Sequence, residues 1–251
     1  MTSKTKDMQP YVELGKRLSS RWSRRTRDAA LILGYSGSTF CAYESGKHKI
    51  DPATLWRLSR ILDVSIEDLW KPDVSSPPGA SGAEVQEQFS EVERELLAAW
   101  HKLPHAVMGL PWHTAKGNLR QLLRKEAEKN IDFRIGQNLR RFRGGQTMKD
   151  VAAESGVNFA ALQNCETGGG IDMLSLDRLC GFYGKSLQDV FAGVEGGALP
   201  YDFRHSSSAE RAFIMDFRYL NAVDQKRIPK TPEGLFQALR QKTLFPRAQA
   251  A

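Results

Sequence analysis

At 251 residues the chain is long enough for two compact units, and its 36 Lys and Arg against 29 Asp and Glu leave a formal charge of +7. That balance favours a polyanionic partner without proving one. Three cysteines (Cys41, Cys165 and Cys180) are too few for a disulfide framework, the N-terminus lacks the apolar core of a signal peptide, and no window approaches the roughly 18 apolar residues of a membrane span, so a soluble cytoplasmic protein without membrane contact is expected.

In chain order, residues 11–71 come first. Within "DAALILGYSGSTFCAYESG", Asp28 to Gly46, Gly34 permits a tight turn of positive φ and Ser36 stands where the next helix needs an N-cap, with Phe40 and Tyr43 facing inward. Leu55, Leu58, Ile61 and Leu62 follow at helical spacing, and strand-like alternation is scarce along the whole chain. Residues 72–89 are rich in Pro, Gly and Ser and read as a linker; residues 90–130 read as a helical tail or connector. A second unit over 132–192 contains "DVAAESGVNFAALQNCETG", Asp150 to Gly168. Here Val151, Ala152, Leu162 and Cys165 face inward, Gly156 makes the turn, and Phe159, Ala160, Gln163 and Asn164 face outward. A second helical tail spans 205–245. Ser65 with Asp68, Ser90 with Glu93, Thr147 with Asp150, Ser186 with Asp189 and Ser207 with Glu210 have capping-box spacing.

The two halves are copies. Asp28, Ala30, Gly34, Glu44 and Gly46 recur at one constant offset as Asp150, Ala152, Gly156, Glu166 and Gly168. Asp51, Leu55, Leu58, Ser65 and Asp68 recur one residue earlier than that offset, as Asp172, Leu176, Leu179, Ser186 and Asp189. "SEVERELLAAWHKL" likewise matches "SSAERAFIMDFRYL", so the tail is duplicated with the unit that precedes it.

Both units resemble the Cro and phage-repressor type of helix-turn-helix, the xenobiotic-response-element-like family of five-helix DNA-binding domains. The resemblance implies an all-α chain of two tandem lambda-repressor-like domains, each followed by a short helical tail of a kind that commonly serves association between subunits. In that family an Arg on the opening helix pairs with the Glu that ends the recognition helix. Gly136, Leu139, Phe142, Arg143 and Glu166 match the pattern, giving Arg143 and Glu166 as a structural ion pair. The first copy has Gly15 and Leu18, but Trp22 replaces the Arg, and Arg21 is the nearest partner for Glu44.

Carried over in the same way, the base-reading positions of the second copy are Asn158, Phe159, Ala160, Gln163 and Asn164, and those of the first are Ser36, Gly37, Ser38, Cys41 and Ala42. Phosphate contacts fall to Arg24, Arg25, Thr26, Arg27, Lys47, His48 and Lys49 in the first copy and to Thr147, Met148 and Lys149 in the second. Asn suits the two hydrogen-bonding atoms of adenine, whereas the small groups of the first copy distinguish bases poorly. The first copy is therefore expected to grip backbone and the second to read sequence. The implied function is a sequence-specific double-stranded-DNA-binding regulator, a repressor of the kind carried by phages and other mobile elements. Its two domains would address half-sites about 34 Å apart, with a homodimer through the tails as an open alternative.

A protein that keeps this fold but binds another protein is the competing reading, since fold does not dictate function. Phe159 would then belong to a partner surface. No catalytic, metal or cofactor site is expected: Pro104 separates His101 from His105, no carboxylate lies between them, and His113 stands further on. Trp100 and Trp112 read as packing for the tail, Cys41 as a small surface residue, and the paired glycines as turn formers.

Overall fold

The computed structural model describes residues 3–21, 34–62, 64–71, 89–103, 115–194 and 208–245, with backbone alone at 3–7, 21, 61, 62, 115, 208, 209 and 211. In chain order the helices are α1 (Ser3–Arg21), α2 (Gly37–Glu44), α3 (Pro52–Leu62), α4 (Ile66–Trp70), α5 (Glu91–His101), α6 (Ala115–Arg143), α7 (Met148–Ser155), α8 (Phe159–Glu166), α9 (Met173–Tyr183), α10 (Leu187–Val190), α11 (Ser208–Arg218), α12 (Ala222–Arg227) and α13 (Pro232–Gln241). There is no strand among the described residues, so the fold class is all α, and no helix is long and apolar enough to cross a membrane.

Contacts divide the chain into two units, each discontinuous in sequence. One holds α1 to α4, α6 from Glu128 onward, and α7 to α10; the other holds α5, α6 up to Ala127, and α11 to α13. The expected boundary between 130 and 132 therefore falls inside a helix. No Pro interrupts Ala115–Arg143, and between Gly117 and Gly136 good helix formers predominate, so the hydrogen-bond ladder has nothing to end it there. α1 likewise starts upstream of the expected residue 11 and runs through Pro10, at the cost of one ladder hydrogen bond.

Local expectations meet the helix ends in graded fashion. Ser90 with Glu93 and Ser186 with Asp189 close complete capping boxes, while Ser65 and Thr147 show the forward bond, accepting from the amides of Asp68 and Asp150. Ser207 lies outside the described residues. Gly156 takes the left-handed conformation (φ 68°), as does Gly34 (φ 75°). Val151, Leu162, Cys165 and Phe40 are buried; Ala152 and Tyr43, expected inward, are only half-buried.

In the first unit the two copies repeat the same internal devices. Gly15 lets α1 approach the carbonyl end of α2 at Glu44, and Gly136 lets α6 approach the end of α8 at Cys165; a Cβ at either position would strike backbone. Arg17 donates from Nε to the Leu69 carbonyl (2.8 Å) and from a terminal nitrogen to that of Trp70 (2.9 Å). Asn138 donates from Nδ2 to the carbonyls of Val190 (2.8 Å) and Ala192 (2.9 Å). Both side chains satisfy backbone acceptors left over where a short helix ends.

The copies also face each other in this unit. The Tyr11 hydroxyl reaches Asp172 (3.4 Å), and in the mirrored place Asp132 lies within reach of the charge of Asp51. Trp56 stacks on Phe191 (4.6 Å between centroids), and Lys71 pairs with Asp177, the counterpart of Trp56 (2.6 Å). Glu67 accepts from the amide of Gln188, its own counterpart (2.8 Å). A position that meets its own equivalent marks an isologous pairing, the pattern of a two-fold dimer written within one chain.

The second unit repeats that logic. Leu96, Trp100, Leu119, Leu123, Phe213, Phe217, Leu235 and Leu239 share one core, with Trp100 stacked on Phe213 (5.3 Å). Each such side chain, fully buried, contributes about 1.5–3 kcal/mol, which drives the two tails onto each other. Glu93 pairs with Arg218, and their counterparts Glu210 and His101 pair in reverse (2.8 Å).

Candidate nucleic-acid interface

In the second copy the site is built on α7 and α8. The Thr147 hydroxyl accepts from the amide of Asp150 (3.2 Å) and donates to its carboxylate (2.7 Å), starting α7. After the turn at Gly156, Asn158 caps α8, its Oδ1 accepting from the amides of Ala160 (2.8 Å) and Ala161 (3.4 Å). α8 then buries Leu162 and Cys165 and leaves Ala160, Gln163, Asn164 and Phe159 outward, the last 40% exposed. Burial pushes the Cys165 thiol up to about 12, as suits a core residue.

Arg143 clamps the far end of α8. Its Nε and a second nitrogen donate to the two carboxylate oxygens of Glu166 (2.7 and 2.9 Å), and the third donates to the Gln146 carbonyl (2.6 Å). The bond to Glu166 raises the Arg143 pKa. A two-point pair fixes the angle as well as the distance between α6 and α8.

The outward groups differ in what they leave available. Asn158 has its oxygen committed to the cap, which leaves its amide nitrogen to donate. Asn164 donates from Nδ2 to the Gly170 carbonyl (2.9 Å), and its side chain lies flat against Gly169, where a Cβ would overlap it. Lys149 is exposed beside the Thr147 cap, and Met148 is half-buried.

In the first copy Ser36 caps α2, accepting from the Thr39 amide (3.1 Å), and its hydroxyl also lies 2.9 Å from that of Ser38 and 2.7 Å from that of Thr39. These hydroxyls satisfy one another. Ser38 and Cys41 are exposed, whereas Gly37 and Ala42 are half-buried. Lys47, His48 and Lys49 are exposed in succession after α2. Burial raises the Asp172 carboxyl, but bonds from Ser175 and the charge of Lys49 outweigh it and hold it below the usual range, so Lys49 leans partly on protein.

Arg24, Arg25, Thr26 and Arg27 lie outside the described residues, as do Trp22, Trp112, His105, His113 and the side chain of Arg21. Among the described residues no cluster of His, Cys, Asp or Glu could hold a metal ion. Residue patterns missed Gly169 and Gly170. The signal that could have found them is the comparison of copies, in which Ala42 with Lys47 becomes Asn164 with Gly169.

No protein-family model, curated protein or solved structure matches the chain.

Proposed function

We propose that the chain is a sequence-specific DNA-binding regulator, a repressor, whose two helix-turn-helix copies act as the two halves of a dimer within one chain. The observation that carries this reading is the isologous pairing of the copies, seen in Glu67 with Gln188 and again in Glu93 with Arg218 and Glu210 with His101. Paired copies present two reading helices to one duplex, which is how two-fold readers address two half-sites. The tails cover each other's apolar faces within the one chain, which supports a pairing that needs no second copy.

The copies divide the work. Lys47 and Lys49, on either side of the exposed His48, supply positive charge to the first, and the exposed Phe159, Gln163 and Asn164 of α8 supply base chemistry to the second. The operator is then bipartite without being a palindrome. Selection of bound molecules from a random DNA pool, followed by a measurement of stoichiometry on the enriched site, tests it. One chain per site with one well-defined half-site is expected; an absence of any enriched motif would sink the proposal.

A second reading, binding of another protein, is favoured by the exposure of Phe133 (48%) and Phe159 (40%), two large apolar side chains with outward surface. It predicts that replacing both weakens partner binding while leaving DNA binding unchanged.

A further inference from the structure

The segment after the reading helix has the same backbone in both copies. Gly46 donates to the Tyr43 carbonyl (3.0 Å) and Lys47 to that of Ala42 (2.9 Å); Gly168 donates to Cys165 (2.9 Å) and Gly169 to Asn164 (2.8 Å). Both turns open on a glycine of positive φ, Gly46 and Gly168. On this shared frame two facing positions change together. The first copy pairs a small Ala42 with a full side chain at Lys47; the second pairs a large Asn164 with the bare Gly169.

Any Cβ at 169 would fall on the amide of Asn164, meeting Oδ1, Cγ and Nδ2 together. The space that a side chain fills in one copy is given to the carboxamide in the other. The Gly170 carbonyl then settles which way the carboxamide turns, because a carbonyl only accepts and so must face the nitrogen. One N–H and the Oδ1 lone pairs remain.

We propose that Gly169 and the Gly170 carbonyl form a seat for the Asn164 carboxamide, with Gly169 the positioning residue and Asn164 the residue that selects adenine. The inference rests on the DNA-reading function proposed above. Adenine offers an acceptor at N7 and a donor at N6, which one N–H and Oδ1 match as a pair. A side chain already ordered does not lose its rotamer freedom on meeting DNA, so discrimination is gained without that cost. The first copy, with Ala42 in the same place, has neither the reader nor the seat.

The test uses the full chain and the site selected from random DNA, with each adenine replaced in turn, and compares wild type with Asn164→Ala, Gly169→Ala and the double variant. Asn164→Ala and Gly169→Ala are each expected to lower discrimination at one adenine by about tenfold, the double variant to lose no more than Asn164→Ala, and binding to non-specific DNA to stay unchanged. That last readout also shows that the variants fold. Wild-type discrimination in Gly169→Ala overturns the seat alone, as does a loss in the double variant larger than in Asn164→Ala. A wild-type chain that distinguishes no base overturns the DNA-reading function and the seat together.

Discussion

Glu93 and Arg218 form an ion pair between the two tail helices, with side chains only 5% and 11% exposed. Burial alone would raise the Glu93 carboxyl, but the hydrogen bonds from Arg218 and from the Ser90 amide outweigh it and hold the carboxyl below its usual range. The folded state therefore binds the proton less readily than the unfolded chain. The stability that follows is present above the unfolded pKa and is lost as pH falls through the folded one. Glu93→Gln, which removes the carboxylate charge facing Arg218, should cost about 3 kcal/mol at neutral pH, and the gap to wild type should narrow in acid. Denaturant melts at pH 7 and pH 3 would show it; a constant gap would assign the pair no electrostatic part.

Gly136 and Gly181 are both helical glycines, yet alanine should act on them with opposite sign. At Gly136 the new methyl meets the Cys165 carbonyl and the backbone of Glu166, which cannot move without shifting α8. Overpacking of this kind costs about 1–3 kcal/mol. At Gly181 nothing lies within 4 Å, so the change gains about 0.5–1 kcal/mol of helix propensity. Thermal melts of the two single variants decide the matter. Equal shifts would mean that the close approach of α6 and α8 carries no strain.

Asp132 titrates in the reverse sense. Burial, then the charges of Asp51 and Glu128, raise its pKa from 3.8 to about 7. Between those values the folded chain holds a proton that the unfolded chain has released, so stability falls as pH climbs through this window. Asp132→Asn removes the dependence, and its advantage over wild type should grow from pH 4 to pH 7 and then level off. Melting temperatures across that range check it; a pH-independent difference would show that neither burial nor the charges of Asp51 and Glu128 raise this carboxyl.

How much was legible beforehand depended on distance along the chain. Asn158, Ser36 and Ser186 announce helix starts, and Gly34 and Gly156 announce turns, because a cap or a positive φ is settled within a few residues. The Arg143–Glu166 pair was legible only through a resemblance, since nothing in its spacing shows that the two side chains meet. The boundary expected near 131 lies within the uninterrupted helix from Ala115 to Arg143, along which the contacts themselves divide between Ala127 and Glu128, so a change of unit needs no break in the helix. Asn158 caps α8 through the same side-chain oxygen that a base contact would use, which only the placed side chain displays.

The sequence by itself determined that the chain is helical, that it is written twice, and that Val151, Leu162, Cys165 and Phe40 turn inward. These follow from residue types at short, fixed separations, where periodicity and capping act. Only the tertiary structure decided that the tails close on each other, that Glu67 meets Gln188, and that Asn164 turns its nitrogen toward Gly170. An apolar stripe requires burial but does not name its partner, and a carboxamide takes its orientation from whichever donor or acceptor the completed fold sets before it.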